Sequence, residues 1–178
     1  MIRLFTAIAL PETIRQRLGL LQGGLPGAQW SAIDNLHLTL RFIGDVQPVV
    51  ADDIDDMLSS LRLPSFELSL SGVGEFGGQN PNSVWVGVLP SEPLVRLAAK
   101  LENALQRMGL EAEARKYTPH VTLARLHETP LQKVREFLAD HSMFNSGPFP
   151  VASFGLYSSQ RSSRGSVYSL ESQYQLGS

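Results

Sequence analysis

The sequence predicts an α+β fold built as a bilobal, pseudo-twofold duplication, with two mostly antiparallel sheets facing a central groove and helices packed outside. Three observations predict it. The two halves, roughly 1–90 and 91–178, run through the same order of strands and helices. Matched residues recur at one constant offset: His37-Leu38-Thr39-Leu40 falls on His120-Val121-Thr122-Leu123, Phe66 on Phe149, Gly72 on Gly155, and Ser83-Val84-Trp85 on Ser166-Val167-Tyr168, each 83 residues apart. Finally, the polar pair His-x-Thr stands inside an apolar strand pattern in both copies. Any one match is weak, but the shared offset is not.

The elements follow from periodicity and punctuation. Residues 2–10 read as a strand, and Pro11 with Glu12 opens a helix to about Leu21. Gly and Pro make 23–29 a loop. Residues 36–43 form a strand. A helix over 48–61 has Pro48 in its first turn and Ile54, Leu58 and Leu61 at helical spacing. Alternation predicts a strand over 66–73, a loop from Gly74 to Asn82, and a strand over 83–89. That last segment also resembles 2–10, since both end in Leu-Pro before a helix, so it can close one repeat and open the next.

In the second half, Leu94, Leu97, Leu101, Leu105 and Met108 line one face of a helix over 92–108. A strand covers 119–126, a helix runs from Thr129-Pro130 to about 140, and strands follow at 149–157 and 166–174. The whole of 1–178 is expected to be a single two-lobed domain, a size at which roughly 70% of the unfolded surface can be buried without staples.

Composition narrows the chemistry. There is no cysteine, which excludes disulfides, thiolate metal sites and thiol nucleophiles, and fits a reducing, cytoplasmic setting. The net charge of −2 gives no whole-protein field to draw in nucleic acid, so any RNA contact must be local. No apolar run approaches the ~18 residues of a membrane span. The N-terminal Met-Ile-Arg-Leu-Phe-Thr-Ala-Ile-Ala-Leu-Pro lacks a small-residue cleavage site and reads as a strand rather than a leader. A soluble monomer is expected.

On a strand, residues i and i+2 share a face, about 6.6 Å apart. His37 and Thr39 therefore project together, with Leu36, Leu38 and Leu40 opposite; His120 and Thr122 do the same, with Val121 and Leu123 opposite. The alternation carries Arg41 onto the His37 face and Arg125 away from the His120 face. Two imidazoles and two hydroxyls across a groove suit in-line phosphoryl chemistry. One neutral histidine accepts a proton, one protonated histidine gives one, and the hydroxyls meet charge growing on phosphate oxygens. A metal site would need at least a third protein ligand, and none recurs at matching spacing. His127, in a turn, and His141, at a helix end, have no repeat counterpart and read as structural.

At these residues the chain resembles the two-histidine phosphoesterases with paired HxTx motifs, and more narrowly the RNA 2′,3′-cyclic 3′-phosphodiesterases, also called 2′–5′ RNA ligases. The stretches are Arg3-Leu-Phe-Thr-Ala-Ile, His37-Leu-Thr-Leu-Arg-Phe-Ile-Gly44, Thr118-Pro-His-Val-Thr-Leu-Ala-Arg125, and Leu156-Tyr-Ser-Ser with Gly165 and Tyr168. The resemblance implies a bilobal fold and hydrolysis of a terminal RNA 2′,3′-cyclic phosphate to a 2′-phosphate; the two-histidine scheme itself calls for no cofactor and no metal. The resemblance also implies His37 as proton donor to the 3′ oxygen and His120 as proton acceptor from water. Thr118 and Tyr117 occupy positions where relatives often carry Arg and an aromatic. Arg41 and Arg125 are candidates for phosphate contact, and Phe42 and Tyr117 for stacking on a base. Two other readings stay open: a phosphodiesterase for small nucleotides or 2′–5′-linked oligonucleotides, and a non-catalytic RNA-binding module.

Overall fold

The computed structural model describes residues 1–177. Its strands are β1 (Ile2–Ala9), β2 (Ala28–Trp30), β3 (His37–Val46), β4 (Phe66–Phe76), β5 (Ser83–Val88), β6 (His120–Leu126), β7 (Asn145–Val151), β8 (Ser153–Ser162) and β9 (Gly165–Gln175). Four helices accompany them: α1 (Glu12–Gly19), α2 (Pro48–Ser60), α3 (Glu92–Arg107) and α4 (Leu131–His141). One sheet has the order β3-β1-β8-β9 and the other β2-β6-β5-β4-β7, with every neighbouring pair antiparallel. Among the described residues, no helix is long and apolar enough to cross a membrane.

The helices start where local chemistry allows. The Ser91 side chain accepts from the Leu94 amide at 3.2 Å and caps α3, Pro93 supplies a preset first turn, and Glu92 meets the positive end of the helix dipole. Leu94, Leu97, Leu101 and Leu105 then fall on one face and are buried. They join a hydrophobic cluster that draws on both sheets and all four helices, including Leu18, Leu38, Ile54, Leu70, Val121 and Val134. Removing each such side chain from water contributes about 1.5–3 kcal/mol.

Three features differ from the sequence reading. The loop predicted over 23–29 gives way at its end to β2, which pairs with β6 from Leu126 to Ala124. Gly27 makes that possible: a Cβ there would sit 2.0 Å from the His127 carbonyl oxygen, and the His127 amide donates to the Gly27 carbonyl at 3.0 Å. β4 runs through Phe76, into the segment predicted as loop. The single strand predicted over 149–157 is two strands in different sheets, with the chain crossing at Ala152 between β7 and β8.

That crossing reassigns part of the repeat. β3 and β6 occupy matching places, each beside a strand that leads into a helix, β1 and β5 respectively. The resemblance of 83–89 to 2–10 is therefore the one realised in space. The match of Ser83-Val84-Trp85 to Ser166-Val167-Tyr168 is not, because β5 is an inner strand and β9 an edge. Phe66 and Phe149 are not equivalent either, since β4 and β7 are neighbours in one sheet. Each sheet takes strands from both halves of the chain, so the lobes are not the halves.

Leu101→Ala should lower unfolding stability by about 2–5 kcal/mol, the usual cost of emptying a buried leucine site, since Leu101 is fully buried on α3. Denaturant unfolding measures it, and a loss under about 1 kcal/mol would show that the α3 face is not packed as described.

Candidate active site

The two sheets meet along β3 and β6, whose Cα atoms approach within 8 Å. Each strand carries a His-x-Thr on its groove face, and each is bulged at the next residue. Thr6 pairs with Arg41 and Ala7 with Thr39, leaving Leu40 extra; Val84 pairs with Ala124 and Trp85 with Thr122, leaving Leu123 extra. The two bulges are 83 residues apart.

Both imidazoles are held the same way. The His37 Nδ1–H donates to the Asn35 carbonyl and the His120 Nδ1–H to the Thr118 carbonyl, each at 2.6 Å. A carbonyl only accepts, so Nδ1 carries the proton in both rings and Nε2 is the atom left for chemistry. In His37, Nε2 lies 2.8 Å from Thr39 Oγ1, and in the neutral ring the threonine hydroxyl donates to it. Asn35 is itself anchored, its Nδ2 donating to the Ser166 carbonyl at 2.9 Å on β9.

Aromatic rings back each histidine. Phe5 lies 5.1 Å and Tyr168 5.3 Å from the His37 ring, centroid to centroid, with Tyr168 edge-on. Phe76 lies 4.9 Å edge-on and Trp85 5.7 Å from His120. Trp85 needs Gly74 beneath it, where a Cβ would come within 2.4 Å of the indole. Burial pushes the His37 imidazole below its ordinary value; the Asn35 carbonyl opposes this, and the charge of His120 adds to it. The two rings therefore sense one another.

The other candidates separate sharply. The bulge turns Arg41 off the His37 face: it pairs with buried Thr6, its side chain is only 9% exposed, and its guanidinium is engaged by Glu102 and two carbonyls. The face expected for Arg41 is thereby corrected. Arg125 is corrected the other way. Leu123 and Ala124 both enter the core, which returns Arg125 to the groove face opposite Ser83, where it is exposed. Phe42 is 57% exposed on the groove face, 5.8 Å from Phe5. Tyr117 is partly buried against the core, and its hydroxyl donates to the Thr39 carbonyl at 3.0 Å, so it joins the lobes.

Sequence reasoning missed Asn35, Phe5, Phe76 and Trp85, which hold or back the imidazoles, and Arg161. Arg161 pairs with Ser166, one rung out from Ser159–Tyr168 on the same face, and is exposed. Asn35 had one available signal, because Asn35 and Thr118 are also 83 apart. Among the described residues, no three His, Asp or Glu side chains converge as a metal-ligand set.

Known proteins share the sequence pattern and the fold. Residues 11–163 match the 2′-5′ RNA ligase superfamily. The RNA 2′,3′-cyclic phosphodiesterase of Aeropyrum pernix is 36% identical over 138 residues, which cover 76% of this chain and 78% of that protein. The Archaeoglobus fulgidus protein of the same name is 29% identical over 171 residues, covering 93% and 96%. Among solved structures, E. coli LigT with 3′-AMP superposes with a TM-score of 0.82 at 27% identity over 99% of both chains. LigT with NADP+ gives 0.79 at 27% identity over 99% of this chain and 98% of that one.

In the unliganded protein, the His37 ring should titrate below 6.5, and inorganic phosphate should raise its midpoint, because an anion in the groove favours the cation. His120→Ala should also raise it by removing a like charge. Imidazole NMR across pH 4.5 to 8.5 reads all three, and a free midpoint above 7 would contradict the burial described.

Proposed function

The chain belongs to the 2′-5′ RNA ligase superfamily, and on that premise we propose that it hydrolyses a terminal RNA 2′,3′-cyclic phosphate to a 2′-phosphate by metal-independent two-histidine catalysis. The observation that carries the reading is the matched pair of imidazoles, each pinned at Nδ1 by the carbonyl two residues upstream and left with Nε2 for proton transfer. That arrangement supplies one acid and one base at one phosphorus, which binding alone does not require.

In this reading water attacks phosphorus in line with the bond to the 3′ oxygen. His120 Nε2 takes the proton from water as the new P–O bond forms. The bond to the 3′ oxygen breaks, and His37 Nε2 gives that oxygen a proton, leaving a 2′-phosphomonoester and a free 3′ hydroxyl. His37 must be charged to act, and its ordinary value is depressed by burial and by His120. The bound phosphate anion supplies the compensating charge. Protonation also reverses the bond to Thr39: once Nε2 is a donor, the threonine hydroxyl is released to donate to a non-bridging oxygen. Thr122 serves the same purpose from β6.

Arg125 and Arg161, both exposed on the groove face, meet phosphates of the preceding nucleotides, and Phe42 offers a ring to a base. The protein acts as a monomer, as one two-lobed domain, in the cytoplasm. A second reading, a small nucleotide as substrate, is favoured by one observation: LigT, the structural neighbour, has been solved with NADP+ and with ATP. A dinucleotide ending in a 2′,3′-cyclic phosphate, compared with 2′–5′-linked oligonucleotides and nucleoside cyclic phosphates, separates the two by kcat/KM.

Turnover should survive excess EDTA, and activity lost to chelation and restored by zinc or manganese would overturn the metal-independent scheme. His37→Ala and His120→Ala should each lower the rate about 10²–10⁴-fold, and the double variant should be little worse than the poorer single, since the pair acts as a unit. Thr122→Val keeps the β-branched shape and removes the hydroxyl, so kcat should fall roughly 10- to 1,000-fold while KM moves far less. Product analysis by phosphorus NMR identifies the 2′-phosphate; a 3′-phosphate would reverse the assignment of the leaving oxygen.

A further inference from the structure

The twelve residues between α3 and β6, 108–119, form neither helix nor strand, yet they carry the Thr118 carbonyl that pins His120. The approach to His37 is secured differently. There, β2 pairs with β6, the Ser31 amide donates to the Leu123 carbonyl at 2.9 Å, and a 3₁₀ turn, Ile33–Asn35, delivers the chain into β3. The 108–119 connector has no such strand.

It has Arg41 and Glu102 instead. Arg41 Nη2 donates to the Glu111 carbonyl at 2.6 Å, and the Glu113 amide donates to Glu102 Oε1 at 2.9 Å. Among the described residues, these are the hydrogen bonds that join 111–116 to the rest of the molecule. Arg41 Nε donates to Glu102 Oε2, Arg41 Nη1 to the Phe42 carbonyl, and Gln106 Nε2 to Glu102 Oε1 at 2.8 Å. Every guanidinium nitrogen has an acceptor, and the side chains are 9% and 22% exposed. The hydrogen bonds from Arg41 hold the Glu102 carboxyl down to about 2, so the pair stays charged across the working range. A few residues on, the Tyr117 hydroxyl ties the same connector to the Thr39 carbonyl. The equivalent of Arg41 beyond the second bulge is Ala124, which is simply core.

We propose that Arg41 and Glu102 are positioning residues for His120: by clamping Glu111 and Glu113 they fix the path of 108–119, and with it the Thr118 carbonyl that sets the tautomer and aim of the His120 ring. The first motif thus supplies an acid of its own and, through Arg41, the placement of the second motif's base. The inference rests on His120 serving as that base. It assigns Arg41 no contact with substrate, and so separates from the phosphate-grip role its position in the sequence suggests.

The test uses Arg41→Met and Glu102→Gln in the full chain, with His120→Ala as reference, on a cyclic-phosphate dinucleotide. A misplacement near 1 Å should lower kcat about 10- to 100-fold with little change in KM. The double variant should match the worse single, because both cut one link. Imidazole NMR should show the His120 Nδ1–H resonance lost or broadened while that of His37 persists. Raised KM with unchanged kcat would overturn the proposal in favour of phosphate binding. A lowered melting temperature with unchanged kcat and an intact His120 resonance would overturn it in favour of a purely structural pair. If Arg41→Met fails to fold, Glu102→Gln, which keeps the volume, decides by the same criteria. Failure of the parent reading looks different: His120→Ala would then keep turnover.

Discussion

One extra residue after each His-x-Thr organises the groove. A regular strand would continue the alternation and put Arg41 beside Thr39. The bulge at Leu40 sends Leu40 and Arg41 together toward the helices and lets Phe42 return to the groove beside Phe5. The buried Thr6 hydroxyl donates to the Arg41 carbonyl at 3.3 Å, at the pair next to the extra residue. On β6 the same device buries Leu123 and Ala124 and returns Arg125 to the open face. Both strands thus change phase just past the chemistry.

Much of this was legible in the residues. Helices announced themselves through Pro11-Glu12, Pro48, Thr129-Pro130 and the leucines of α3, while the Ser91 cap emerged only with the structure. The two His-x-Thr segments were legible because their apolar neighbours are in phase over four residues, short of the bulge. Beyond it, alternation gave the wrong face for Arg41 and for Arg125. A bulge is set by cross-strand pairing with β1 and β5, and no local signal in Leu-Arg or Leu-Ala reveals it. The same holds for β2: three residues cannot show a period, and Ala28–Trp30 is a strand only because β6 is beside it. The crossing at Ala152 was invisible for a similar reason, since β7 and β8 read as one extended segment until their partners are known.

The arginines show how charge is divided. Arg41 sits in the more conspicuous motif position but is drawn inward, where its donors meet Glu102, Phe42 and Glu111. Arg125 and Arg161 remain on the open face, one on each sheet. A net charge of −2 is therefore compatible with an anionic substrate, because what matters is which cations face the groove.

The interleaving of the halves has a consequence for how the chain must assemble. β1 pairs with β8 from Leu4↔Ser158 to Ala7↔Gly155, more than 140 residues later in the chain. Until then one edge of β1, with Leu4, Phe5 and Ile8, has no final partner. Contacts of this sequence separation close late and slowly, and an unpaired apolar edge invites association with other nascent chains meanwhile. Neither half can complete its own sheet, so the two-lobed form can appear only once strands from both halves are present.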